Sequence, residues 1–209
     1  MSEDHRRDIT SEVLLDIVRE VINIGIGEAA NALSKLVRTR VVIRTPDVRV
    51  MELAELQDYL RYQVASIGVY ISQNFRTRIA GRTILFYTRD CSISLLNAVY
   101  GGTLSTSTLT ESGIATLNEI GNIIMGSCMA EIGNIIEGRI NFDLPQVTVE
   151  VSETYFNNLI KELDRSDKAI VVKNEMRIQD TDVQGFLFVL FTFDDFMAVI
   201  RKLERRIFS

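Results

Sequence analysis

Histidine is nearly missing from this chain. Among 209 residues there is one, His5, and it sits in the polar N-terminal stretch MSEDHRRD. Serine–histidine and cysteine–histidine catalysis are thereby left without a base, and a histidine-based metal centre without ligands. Cysteine is scarce too. Cys91 and Cys128 cannot form a disulfide framework, so a reducing compartment is the simpler reading. Cys128, standing among Met125, Met129 and Ile132, reads as core. Long apolar runs are absent: the longest lies within Phe186–Phe191, far too short to span a bilayer. No apolar segment of the kind a secretory or transit peptide carries follows MSEDHRRD. Basic residues are fewer than acidic ones, 23 − 28 = −5, with no stripe able to neutralise phosphates along a duplex. The expectations are a cytoplasmic location, no membrane insertion and no nucleic-acid partner.

What is present is a globular composition, 46% hydrophobic and 24% charged. A chain of 209 residues is longer than one average domain of roughly 150 and shorter than two. Residues 9–38 carry apolar positions at helical spacing, with Thr10 or Ser11 as a candidate cap. Residues 40–53 alternate around Pro46 as an extended segment does, with the proline at a bend or on an edge. Strand candidates follow at 63–72 and 77–87, then a short helix from Thr88 or Asp90 to Gly101. Past the low-complexity stretch STSTLT (105–110) the same order returns. A helix is expected at 111–138, an extended stretch around Pro145 and a short helix near 154–164. Strands near 168–177 and 183–192 and a last helix near 194–207 complete it.

The order repeats because the residues do. At a lag of 99, Glu20 falls on Glu119, Asn23 on Asn122, Gly27 on Gly126 and Pro46 on Pro145. Further on the lag is 104, with Thr88 on Thr192 and Asp90 on Asp194, which implies about five extra residues in the second half, in a loop. The chain has two prolines in all, and both fall on the repeat. A decoy, Glu131-Ile-Gly-Asn134, echoes Glu119-Ile-Gly-Asn122. The residue 23 after Asn134 is Asn157 and not a proline, so Glu131 and Asn134 read as solvated helix residues. Two repeats, about 8–104 and 105–209, are expected to fuse into one domain spanning 1–209. Their charges differ: 13 − 12 = +1 for residues 1–104 and 10 − 16 = −6 for residues 105–209.

Glu20 and Asn23 are three residues apart, so a helix sets them about 60° from each other on one face. Asp16 falls on the same strip, and Ala115 stands in its place in the second copy. A helical glutamate is ordinarily just a solvated side chain. An asparagine is less at home in mid-helix, because it competes with the backbone for hydrogen bonds. Two carboxylates side by side on one helix do not suit glycosidic acid–base work, which needs them facing each other across a substrate. A carboxamide suits a narrower task, since it both donates to and accepts from a water molecule and so can orient it. Positioning of that kind serves in-line attack on a phosphoryl group with a good leaving group.

Asp16-x3-Glu20-x2-Asn23-x22-Pro46, with Glu119, Asn122 and Pro145 as a second copy, resembles the signature of the CheC/CheX/FliY chemotaxis phosphatases. Two copies in a chain of this length are most similar to the CheC branch. The resemblance implies an α+β fold with pseudo-two-fold internal duplication, a shared antiparallel sheet and two long motif-bearing helices side by side. It implies a phosphatase that dephosphorylates the phospho-aspartate of a CheY-like response regulator. Glu20 and Glu119 would dock the regulator's lysine, and Asn23 and Asn122 would position the attacking water. Asp16, Pro46 and Pro145 complete the signature. No cofactor of its own is implied, and Mg2+ would belong to the regulator. The alternative is a non-catalytic interaction protein of the flagellar switch or of the receptor deamidase CheD. Ala115 departs from the Asp or Ser of the signature, so the first site is expected to be the better one.

Overall fold

The structure, a computed structural model, describes residues 3–63, 67–76, 78–102, 109–162 and 167–208. The first half runs α1 (Glu3–Val37), β1 (Val41–Glu52), α2 (Leu53–Gln63), β2 (Ile67–Arg76), β3 (Ala80–Thr88) and α3 (Arg89–Val99). The second runs α4 (Glu111–Ile136), β4 (Asn141–Phe142), β5 (Gln146–Val151), α5 (Ser152–Glu162), β6 (Lys168–Ile178), β7 (Thr181–Phe191) and α6 (Phe193–Phe208). Most of the STSTLT stretch, up to residue 108, lies outside the described residues, as do the side chains of His5, Thr10 and Ser11.

Three local expectations are corrected. The first helix runs from Glu3, so Thr10 and Ser11 lie inside it and not at its start. No proline or glycine precedes Gly25 to stop the helix propagating back into the polar N-terminus. Residues 53–63 form α2, which alternation does not reveal. Its partner α5 was the clue, since Leu53 and Ser152 start 99 residues apart. The five extra residues are not confined to a loop. β6 and β7 are 11 residues each against 10 and 9 for β2 and β3, which accounts for three of them. The lag of 104 nevertheless marks real equivalence. Thr88 accepts from the Cys91 amide and Thr192 from the Asp195 amide, both at 3.1 Å, so each begins a helix.

Among the described residues the strands form one seven-stranded antiparallel sheet, ordered β1-β6-β7-β3-β2-β4, with β5 also on β2. Exchange of the halves (β1 with β5, β2 with β6, β3 with β7) leaves that order unchanged. Each half's first strand therefore pairs with the other half's second: β1 on β6, and β5 on β2. The halves interlock, and the pseudo-two-fold passes between β3 and β7. On one face of the sheet α1, α3, α4 and α6 enclose the larger core, which includes Ile22, Leu33, Leu117, Met125 and Cys128. On the other, α2 and α5 cover a smaller aromatic core, in which Tyr70 stacks on Tyr155 at 3.8 Å. Burial pushes the Cys128 thiol up to about 12, as expected of a core cysteine.

The two long helices lie against each other, and Gly25 sets how closely. A Cβ there would come within 2.6 Å of the Cys128 Cα, so only glycine allows this approach. That contact fixes α1 and α4 side by side over the sheet, with the face carrying the acidic and amide residues turned to solvent.

Candidate functional site

Glu20 and Asn23 on α1 are both exposed, and Glu119 on α4 is exposed beside a half-buried Asn122. The strip anticipated from spacing is thus real on both helices. Among the described residues neither Glu20 nor Glu119 has an ion-pair or hydrogen-bond partner, so both carboxylates stand free to meet a cation. Asp16 does not turn toward Glu20. It pairs with Arg19 at 2.9 Å, an exposed contact worth little. At the corresponding places α4 has Ala115 and Asn118, so the second copy lacks both partners of that pair.

Both asparagines are held, and each by a residue that the motif does not contain. Thr45 Oγ1 donates to Asn23 Oδ1. Gln73 Nε2 donates to Asn122 Oδ1 at 2.7 Å. An amide oxygen has two lone pairs, so each asparagine keeps one acceptor position and its whole NH2 group for something else.

The prolines explain how these residues arrive. In the β1–β6 ladder, Arg44 faces Glu175 and Asp47 faces Lys173, so Thr45 and Pro46 together oppose Asn174. This is a bulge, two residues against one, and proline suits it because it has no N–H to leave unpaired. The Pro46 ring is outside the described side chains. Thr45, just before it, is turned to the α1 side. In the second copy Gln146 pairs with Ser72 and Phe142 with Phe75, so Asp143, Leu144 and Pro145 oppose Gln73 and Asn74. The residue before Pro145 is Leu144, which is 89% exposed and has no hydroxyl to offer. Gln73 from the opposing strand takes that part.

Thr45 and Gln73 are the residues that sequence reasoning missed. Thr45 had a signal, its place next to the signature proline. Gln73 had none, because its closeness to Asn122 comes from the pairing of β2 with β5 across the halves. Of the decoy pair, Asn134 is exposed and Glu131 half-buried, and Asn134 Nδ2 donates to Glu131 Oε2 at 3.4 Å, well along α4 from Asn122. Among the described residues no group of three or more His, Cys, Asp and Glu side chains is placed to hold a metal ion. No described helix is long and apolar enough to cross a membrane.

The interlocked antiparallel sheet with two long helices side by side is an α+β fold that solved flagellar proteins share. Thermotoga maritima FliY has this fold, with a TM-score of 0.71 at 19% identity over 92% of this chain and 96% of that one. The FliM middle domain of Vibrio alginolyticus also has it, with a TM-score of 0.65 at 12% identity over 88% and 99%. In sequence, the chain is 23% identical over 194 residues to the CheY-P phosphatase CheC of Bacillus subtilis (strain 168), covering 88% of this chain and 91% of that protein. It is 26% identical over 142 residues to the flagellar motor switch phosphatase FliY of the same organism. That match takes in 67% of this chain but spans only 36% of FliY. No family model matches the chain. The resemblance to the CheC/CheX/FliY family is borne out, and the CheC match runs through both halves.

Proposed function

We propose that this chain accelerates hydrolysis of the phospho-aspartate of a CheY-like response regulator. The observation that carries the reading is the pair of asparagines, one on each of two adjacent helices, each with its amide oxygen anchored and, among the described residues, its NH2 group without a partner. When a regulator docks, Glu20 or Glu119 meets the lysine beside its phosphoryl group. The neighbouring asparagine enters and holds a water in line with the phosphorus. The water oxygen forms the new P–O bond, the P–O bond to the aspartate breaks, and carboxylate and inorganic phosphate leave. An acyl phosphate has a good leaving group, so orientation without a strong base is enough. Any magnesium in this reaction is carried by the regulator, and the encounter takes place in the cytoplasm. The similarity to the CheY-P phosphatase CheC and the motor switch phosphatase FliY of Bacillus subtilis supports the reading.

A second reading has one observation in its favour, the likeness to the FliM middle domain. On it the chain is a non-catalytic partner of the flagellar switch or of CheD. The same fold serves different functions, so the decision lies with the site. The test is the decay of a phosphorylated CheY-type regulator with the parent protein and with Asn23→Ala/Asn122→Ala. The parent shortens the phosphate lifetime and the double variant does not, by a factor of about a hundred in the catalysed rate. Binding of the regulator with no change in its phosphate lifetime would favour the second reading.

A further inference from the structure

We propose that Gln73 is a positioning residue for Asn122, reaching across from the first half of the chain, and that Thr45 does the same for Asn23. The proposal rests on the phosphatase reading and deepens it, because it says what aims each water-holding amide.

The argument starts from strand register. Asp47 pairs with Lys173, and its equivalent 99 residues on, Gln146, pairs with Ser72. The next residues along, Asn174 and Gln73, therefore occupy equivalent places opposite the two signature prolines. Both face the side of the sheet that α1 and α4 cover, since Val172, Met176, Ile71 and Phe75 on the same register line the larger core. Both are buried carboxamides, at 1% and 7% exposure. A polar group is buried at a cost, so each needs a reason to be there.

Gln73 shows its reason. Its Nε2 donates to Asn122 Oδ1 at 2.7 Å and lies 3.5 Å from the Asp143 carbonyl oxygen. A backbone carbonyl only accepts, so the nitrogen of Gln73 must be the end that points this way. Asn122 must then present its oxygen inward, which sends its NH2 group outward, toward a docking partner. The orientation of the Asn122 amide is thus set by Gln73 and not left to chance.

Asn174 is the same device one methylene shorter. Its Oδ1 accepts from the Tyr87 hydroxyl at 3.4 Å, while its Nδ2 is buried with no hydrogen-bond partner. Among the described residues it makes no hydrogen bond to Asn23, where the Thr45 hydroxyl is the donor instead. Each site has a different donor for one job, an inward hydrogen bond to the asparagine oxygen. Because Gln73 belongs to the first half and Asn122 to the second, the second site is complete only in the interlocked chain.

The experiment isolates one site at a time in the full-length protein, with a purified CheY-type regulator phosphorylated on its aspartate. In an Asn23→Ala background, Gln73→Leu lowers kcat about tenfold with KM within about twofold, because docking by Glu119 is untouched. Gln73→Glu keeps the shape but offers only acceptors, so it turns the Asn122 amide around and lowers kcat as well. In an Asn122→Ala background, Thr45→Val lowers kcat about tenfold, and Thr45→Ser, which keeps the hydroxyl, stays within about twofold. The second readout needs no activity: the side-chain amide NMR signals of Asn122 shift and average in Gln73→Leu. Unchanged kcat and unchanged Asn122 signals in Gln73→Leu, with an active parent, overturn the proposal. A parent that leaves the phosphate lifetime unaltered overturns the phosphatase reading instead, whatever the NMR signals do.

Discussion

At the first site a hydroxyl on the neighbouring strand, Thr45, holds Asn23, and both residues belong to one half. At the second, Gln73 crosses from the other half to hold Asn122. The first site also has the exposed Asp16–Arg19 pair, where the second has Ala115 and Asn118. Glu, Asn and Pro are shared, and everything that supports them differs. The two copies keep Glu, Asn and Pro while the donors that hold their asparagines differ, because any inward donor satisfies an amide oxygen. The absence of an aspartate at position 115 therefore says little about the second site: Asn122 is half-buried and gripped at 2.7 Å, at least as well placed as Asn23. Whether the first site is the better one becomes a question for rates.

The comparison can be broken at its common foundation or tested at its edges. The largest effect is expected from Gly25→Val, which drives a side chain into the Cys128 backbone and pushes α1 and α4 apart. Overpacking of this kind costs about 1–3 kcal/mol, to be seen in urea unfolding, and both sites lose activity together. Next comes Glu119→Lys, measured in an Asn23→Ala background. Reversing the charge proposed to dock the regulator raises KM about tenfold, roughly 1.4 kcal/mol, and leaves kcat within about twofold. The smallest effect belongs to Ala115→Asp with Asn118→Arg, which gives the second site the first site's ion pair. An exposed pair contributes about 0–1 kcal/mol, so the phosphate decay rate stays within about twofold of the parent. A large gain there would mean that the signature aspartate does more than its contact with Arg19 suggests.

Much of this was legible in the sequence, for a physical reason. The lag of 99 residues could be read because Glu, Asn and Pro are uncommon enough at fixed spacing to resist chance. Helical periodicity placed α4 and most of α1, and Thr88, one of two candidates, marked the start of α3. What stayed hidden is non-local. The contact of Gln73 with Asn122 links residues 49 apart through a strand exchange that no local pattern encodes. The closeness set by Gly25 depends on which residue of α4 it meets. Helix α2 was missed, although its counterpart α5, read 99 residues further on, offered a signal for it. The same division separates the motif's residues, which sequence supplies, from the donors that aim them, which only the fold brings near.

One measurement addresses the central claim directly: the phosphate lifetime of a CheY-type regulator mixed with the parent, with Asn23→Ala, with Asn122→Ala and with the double variant. Two independently gripped asparagines predict that each single variant keeps part of the acceleration. The two parts should sum to the parent rate, and the double variant should have none. A double variant as active as the parent would contradict the account, as would either single substitution removing the whole effect.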